Sequence, residues 1–338
     1  METFLKMLVA QPAAARLCLV ETYAAGPEAT KRIDDAQAAF EAVMQQAFDE
    51  RPERRGMPAE LTRAMVGGFR KVIHTRLHRG TEAELAELLP ELMELGLSYR
   101  PPPQPLRGGT RRRRSGAGAA GAANSGMTAD DGGKVGGRDE DPAERIIRGT
   151  MVAVAAKGYQ AATIADIVEA AGASLNTFYA HFTGKEEAFD AALYSGRARM
   201  LGVLLPTYSR ARNWPEGIRA MAQATLGFLA SEPEFTKLLT VDVYAAGLEA
   251  LERRDQGLDG IVSTLDGGLK YAPKMTPGQR EAIMSGLYAM VSSWVQHEGT
   301  ASLRELAPLV TYMILCPFVG AEAACEVANG GAWVEPPA

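Results

Sequence analysis

The chain has 338 residues, 46% of them hydrophobic, which is enough for two domains with cores of their own. Its net charge of −5 supplies no global field for nucleic acid, so any such contact has to rest on local placement. Cys18, Cys316 and Cys325 are too few and too scattered for a disulfide framework or a zinc site, and no run of about 18 uncharged apolar residues offers a membrane span, so a cytoplasmic protein without cofactor is expected.

The first segment, METFLKMLVAQPAAARLCLV, imitates a signal peptide faintly, but its apolar run is short and broken. An internal repeat explains it better. Residues 12–34, PAAARLCLVETYAAGPEATKRID, align without gaps on residues 233–255, PEFTKLLTVDVYAAGLEALERRD, at a constant shift of 221 (233 − 12), with 11 of 23 positions identical. With small gaps, Leu61 to Gly80 then resembles Gln279 to Gly299, and Leu85-Ala86 falls on Leu306-Ala307. Strand-like alternation is missing, so an all-α fold is expected, with residues 1–98 forming a partial helical domain. His74 and His78 stand one turn apart beside Arg76 and Arg79, which reads as a solvated basic face and not a metal site.

Residues 99–140 are rich in proline, glycine, alanine, serine and charge, with almost no large apolar side chain, and are expected to form a disordered linker. A coil of about 40 residues spans roughly 35 Å on average, long enough for the two copies to meet within one chain. Arg107 and Arg111 to Arg114 form a basic run inside it.

Residues 141–193 read as a helix-turn-helix domain. Asp141-Pro142 opens a first helix that carries Ile146, Ile147, Val152 and Val154 and ends at Lys157-Gly158-Tyr159. Thr163 caps a second, with Asp166 placed to favour its positive end and Ile164, Ile167, Val168 and Ala171 at helical spacing. Gly172 supplies a turn and Ser174 caps a third helix only two residues later, so the two helices cross steeply. Phe178 and Phe182, at i and i+4, face the core, leaving Leu175, Asn176, Thr177, Tyr179 and His181 outside. Lys185, after the Thr183-Gly184 break, is well placed to meet a phosphate.

The second copy, residues 194–329 before a tail at 330–338, is expected to hold helices near 185–208, 214–231, 233–246, 248–270, 276–298 and 302–328. No phosphate loop, nucleophile elbow or paired-carboxylate motif occurs, so an enzyme is not expected.

The glycine-aromatic pair Gly158-Tyr159, the threonine, the AG-x-S turn, TFYAHF and the lysine together resemble the DNA-binding domain of TetR-type transcriptional regulators, over Asp141 to about Leu193. The resemblance implies phosphate contacts at Thr163, Ser174, Tyr179, His181 and Lys185, and base reading at Leu175, Asn176 and Thr177, with Leu175 suited to a thymine methyl. It implies a ligand-binding and dimerisation domain after the helix-turn-helix, of which residues 1–98 repeat the last four or five helices. Trp214, Met221, Phe228, Tyr244 and Met290 are the pocket candidates, and the lack of a charged cluster on those helices suggests an apolar or aromatic effector. It also implies that the last two helices pair in a four-helix interface. Ile283, Leu287, Met290, Val291 and Trp294, then Leu306, Leu309, Val310, Met313 and Phe318, serve in one copy. Leu61, Met65, Phe69, Val72 and Ile73, then Leu85, Leu88, Leu89 and Leu92, serve in the other. The expected function is a ligand-responsive repressor that binds double-stranded DNA; the alternative is a small-molecule sensor or interaction module with little DNA binding. Two assemblies compete, an inter-chain homodimer with two reading heads and an intrachain pseudo-dimer with one. The number of DNA contacts favours the homodimer.

Overall fold

Capping residues, prolines and glycines divide this chain into helices. The computed structural model describes residues 7, 10–19, 27–107 and 141–335, and among them every element is helical. The first copy holds α1 (Pro12–Leu19), α2 (Pro27–Asp49), α3 (Ala59–Arg79) and α4 (Leu85–Ser98). The helix-turn-helix domain follows as α5 (Pro142–Lys157), α6 (Ile164–Ala171) and α7 (Leu175–His181). The second copy comprises α8 (Lys185–Ser209), α9 (Trp214–Ser231), α10 (Pro233–Lys237), α11 (Val243–Ala245), α12 (Leu248–Val262), α13 (Pro277–Glu298), α14 (Ala307–Val319) and α15 (Ala321–Ala328). Asp141, Thr163, Ser174, Asn213 and Thr276 each accept a backbone N–H with the side chain at the N-terminus of their helices. Arg111 to Arg114 and most of the expected linker lie outside the described residues, as do Tyr23 to Gly26 of the repeat.

Three expected helices differ, the 248–270 helix giving way to a 3-10 segment over Ser263–Gly268. The 233–246 helix is interrupted by a π-helical segment, Leu238–Asp242, whose widened turn leaves carbonyls to outside donors. Tyr288 Oη donates to the Leu239 carbonyl at 2.6 Å and Ser292 Oγ to the Thr240 carbonyl at 2.8 Å, both from α13. The 302–328 helix is cut at Gly320, whose φ of 81° ends α14 and starts α15.

The two copies mate within the chain. The most extensive helix contact among the described residues is α3 against α13, the pair matched by the repeat, with α4 on α13 and α14 beside it. Leu61, Met65, Val72, Leu85, Leu88, Ile283, Met290 and Met313 are buried in one continuous core that runs through both copies. The crossing is close because it is made of small residues. A Cβ on Gly68 would run into the Ala282 carbonyl, and one on Gly286 into the Ala64 carbonyl. These contacts are reciprocal at a single offset of 218 residues (286 − 68 and 282 − 64), the signature of an isologous interface. Arg76 of α3 pairs with Glu281 of α13 at 2.9 Å, and Glu91 of α4 accepts from Thr276 Oγ1 at 2.6 Å. In this structure the surface expected to pair two chains is covered by the first copy of the same chain.

The linker also begins later than expected. Tyr99 is fully buried and its hydroxyl donates to the Met313 carbonyl at 2.9 Å, while Tyr312 Oη donates to the Arg100 carbonyl at 2.6 Å. Asn329 holds the far end through Pro105 and Arg107. Residues 99–107 therefore strap α4 to α14 and α15, and their prolines, lacking N–H groups, leave carbonyls for side chains to bond. In the tail, Trp333 packs edge-on against Tyr271 and its backbone N–H donates to Glu216.

Candidate nucleic-acid interface

The reading head has a core of its own, in which Ile146, Ala153, Ile167, Phe178, Phe182 and Ala188 are buried together. Gly149 of α5 lies so close to the Ile167 carbonyl and to Ala171 that a Cβ there would overlap both. Thr163 and Asp166 form a capping box at the start of α6: the Thr163 N–H donates to Asp166 Oδ2 at 2.9 Å and the Asp166 N–H to Thr163 Oγ1 at 3.3 Å. The Lys157 ammonium, 2.6 Å from Asp166, joins these Thr163 donors in pulling the Asp166 carboxyl down to about 2. Gly172, at φ 58°, donates to the Val168 and Glu169 carbonyls and lets the chain leave α6. Ser174 Oγ then accepts the Thr177 N–H at 3.1 Å and starts α7.

One face of α7 is buried through Phe178 and the other is open. Leu175, Asn176, Tyr179 and His181 are exposed, with Leu175 at 50% and Tyr179 at 59%, and Thr177 is half-buried beneath Ser174. The N-terminal turn of the helix thus presents an apolar contact, an amide and a hydroxyl, and the following turn a phenol and an imidazole. Thr163 and Ser174 are also exposed, at the starts of the two crossing helices. The open face of α7 thus carries Leu175, Asn176, Tyr179 and His181, with Ser174 at its N-terminus and Thr163 at that of α6.

Lys185 does not join them. Its ammonium donates to the Tyr159 carbonyl at 2.7 Å and the Ala162 carbonyl at 2.9 Å, and lies 4.4 Å from the centre of the Tyr159 ring. The backbone of residues 159–162 offers acceptors that a long cation at the start of α8 can reach, so in this structure Lys185 braces that loop. The same loop docks on the π segment. Asp242 Oδ1 accepts the Tyr159 N–H at 3.3 Å, Gln160 donates to the Ala245 carbonyl at 2.7 Å, and Lys237 Nζ donates to the Ala155 carbonyl. Burial pushes the Asp242 carboxyl up, against the opposing pull of the Tyr159 N–H and Lys237. None of these docking residues stands out in the sequence, since each has its partner more than 80 positions away.

The five pocket candidates do not converge on one cavity. Trp214 is buried against Phe318 and Tyr271 with its indole N–H on the Thr264 carbonyl, Met221 is core, Phe228 packs on Phe235, and Tyr244 lies near Arg254. Met290 alone borders a recess of about 60 Å³, shared with Arg63 and Trp294 at the seam between the copies. A larger cavity of about 520 Å³ opens between α8, α12 and the π segment, next to Phe182 at the end of α7. Leu193, Met200 and Leu239 give it an apolar floor, and Arg197, Arg253, Asp190 and Glu187 a charged rim. Arg253 pairs with Asp190 at 2.8 Å. His78 pairs with Glu252 of α12, and no metal-binding cluster of three or more His, Cys, Asp or Glu exists among the described residues. Cys316 and Cys325 are buried free thiols, and the Cys18 side chain lies outside the described residues. No described helix is long and apolar enough to cross a membrane.

Residues 146–192, from within α5 to within α8, match the family described as bacterial regulatory proteins, tetR family. That segment is a TetR-type DNA-binding domain. No curated protein sequence matches it. Solved structures that resemble it include the fatty acid degradation regulator FadR from Bacillus halodurans, 19% identical over 53% of this chain and 97% of that one, with a TM-score of 0.47. The transcriptional regulator FadR from Bacillus subtilis, solved in complex with stearoyl-CoA, is 18% identical over 52% and 98%, TM-score 0.45. A TetR family transcription regulator from Marinobacter aquaeolei is 20% identical over 52% and 94%, TM-score 0.42. The TetR match covers the reading head and leaves the first copy untouched.

Proposed function

We propose that this chain is a cytoplasmic, ligand-responsive repressor of the TetR type. The observation that carries the reading is the exposed face of α7: Leu175, Asn176 and Thr177 at its N-terminal turn reach for base edges in a major groove. Tyr179, His181, Ser174 and Thr163 flank them as phosphate donors. The 520 Å³ cavity is the effector site. It touches the end of the reading helix on one side and α12 on the other, so filling it bears on the angle of the head. An apolar floor under a rim that includes arginines suits an amphipathic anion.

The test is a gel shift with the DNA upstream of the chain's own gene, with and without nonspecific competitor. A retained complex that Tyr179→Ala weakens is expected, and no complex at low salt would sink the proposal. The effector site is probed with anilinonaphthalene sulfonate, an amphipathic anion. Its fluorescence should rise on binding and fall when Met200→Trp fills the floor, whereas an equal rise in both proteins would place the dye elsewhere.

A further inference from the structure

We propose that the chain reads DNA as a one-headed pseudo-dimer, in which the first copy is a built-in partner without a reading head and the recognised DNA is a single asymmetric element. The inference rests on the DNA-reading role of α7 and names the form of its target.

A helix-turn-helix dimer reads an inverted repeat because its own two-fold axis places two recognition helices about one DNA turn apart. Here the axis is present but lies within one chain. The reciprocal glycine contacts, Gly68 over Ala282 and Gly286 over Ala64, show the two copies meeting as equivalent surfaces do in an isologous dimer. Within residues 1–338 the sequence holds one helix-turn-helix, and it lies on the side of the second copy.

The matching position in the first copy has also been put to another use. In the second copy Lys237 holds the head by donating to the Ala155 carbonyl at the end of α5. The repeat puts Arg16 at the same place (237 − 16 = 221). Arg16 instead donates to both oxygens of Glu82, at 3.1 and 3.0 Å, within its own copy. The cation that would receive a second head is thus engaged by a carboxylate. A second chain faces a mating surface already covered by α3 and α4, and a second head faces a docking position already paired.

The full chain is measured twice. Light scattering should give the mass of one chain, 36.1 kDa. Selection from a random-sequence duplex library should enrich one short element with no inverted partner, and scattering of the selected complex should show one chain per duplex. A species of twice the mass, formed by exchange of first copies between chains, overturns the proposal, and so does enrichment of an inverted repeat. A chain of single mass that enriches no sequence overturns the DNA reading beneath it, and the scattering result keeps the two failures apart. As a check on the seam, Gly68→Leu should lose the single-chain mass to self-association or aggregation. Gly227→Ala, which adds its methyl in open space, should leave the mass unchanged.

Discussion

Tyr99 and Pro317 form a compensating pair across the seam, and the pair can be measured. In α14 the Met313 carbonyl would accept the N–H of residue 317, four positions on, but Pro317 has none. The Tyr99 hydroxyl supplies the missing donor at 2.9 Å, and burial keeps that phenol protonated by raising its pKa well above the ordinary value. Tyr99→Phe keeps the ring and leaves a buried carbonyl short of a partner, at a cost of about 1–3 kcal/mol. Tyr99→Ala also empties the ring's site between α4 and α14, for about 3–5 kcal/mol. Pro317→Ala returns an N–H to the helix, so Tyr99→Phe should cost less in that background. Urea unfolding of the four proteins gives the coupling, expected at about 1 kcal/mol. If Tyr99→Phe costs the same with Pro317 and with alanine there, the hydroxyl is not replacing the missing N–H and the argument fails.

On the reading head, Asn176→Ala or Thr177→Ala should relax base preference at one position by about 1–3 kcal/mol, measured by competition between variant duplexes, while Tyr179→Ala weakens all duplexes alike. Lys185→Met should lower the stability of the head by about 1–3 kcal/mol, through loss of two bonds from a charged donor, and leave the salt slope of DNA binding intact; a slope reduced by about one would return Lys185 to the phosphates. Asp242 sets a pH dependence. Its carboxyl is raised in the folded chain above the ordinary 3.8, so the protonated form is favoured by folding, and stability is greatest below that value and falls as pH rises through the folded one. Thermal melts of Asp242→Asn, which can still accept the Tyr159 N–H, should lack this fall and lie above the wild type at neutral pH; parallel melts of the two proteins across that window would contradict the assignment.

The reading head was legible because everything that defines it is local. Caps at Thr163 and Ser174, the turn at Gly172 and the Phe178–Phe182 spacing each act within about one helical turn, where sequence and geometry correspond directly. The repeat likewise revealed which apolar faces pair, since α3 and α13 carry the same pattern. What stayed hidden depends on distant partners. Lys185 reads as a phosphate contact until the 159–162 carbonyls are placed beside it, and the strap at Tyr99 reads as linker because proline-rich segments rarely hold a core. The cavity is space between α8, α12 and the π segment, and no single helix encodes such a space.

The choice between cis and trans pairing turns on the tether more than on the number of DNA contacts. Weighing contacts alone favours two heads, because each adds phosphates and bases. The described part of the first copy ends at Arg107 and the head begins at Asp141, so 33 residues (140 − 107) join the mates. A connection of that length presents one mate to the other at an effective concentration on the order of millimolar. Against a free chain at about 1 μM, this favours the internal mate by roughly a thousandfold, or about 4 kcal/mol, before any difference in the contacts. Both mates present the same kind of surface, since the crossing glycines are reciprocal, so the contacts of a second chain would have to exceed those of α3 and α4 by that margin. The scattering mass of the full chain should therefore stay at one chain from about 1 to 100 μM, with self-association emerging only toward the millimolar range. A mass that climbs with concentration in the micromolar range would mean that the internal mate is displaced, and that the paired surfaces are not equivalent after all.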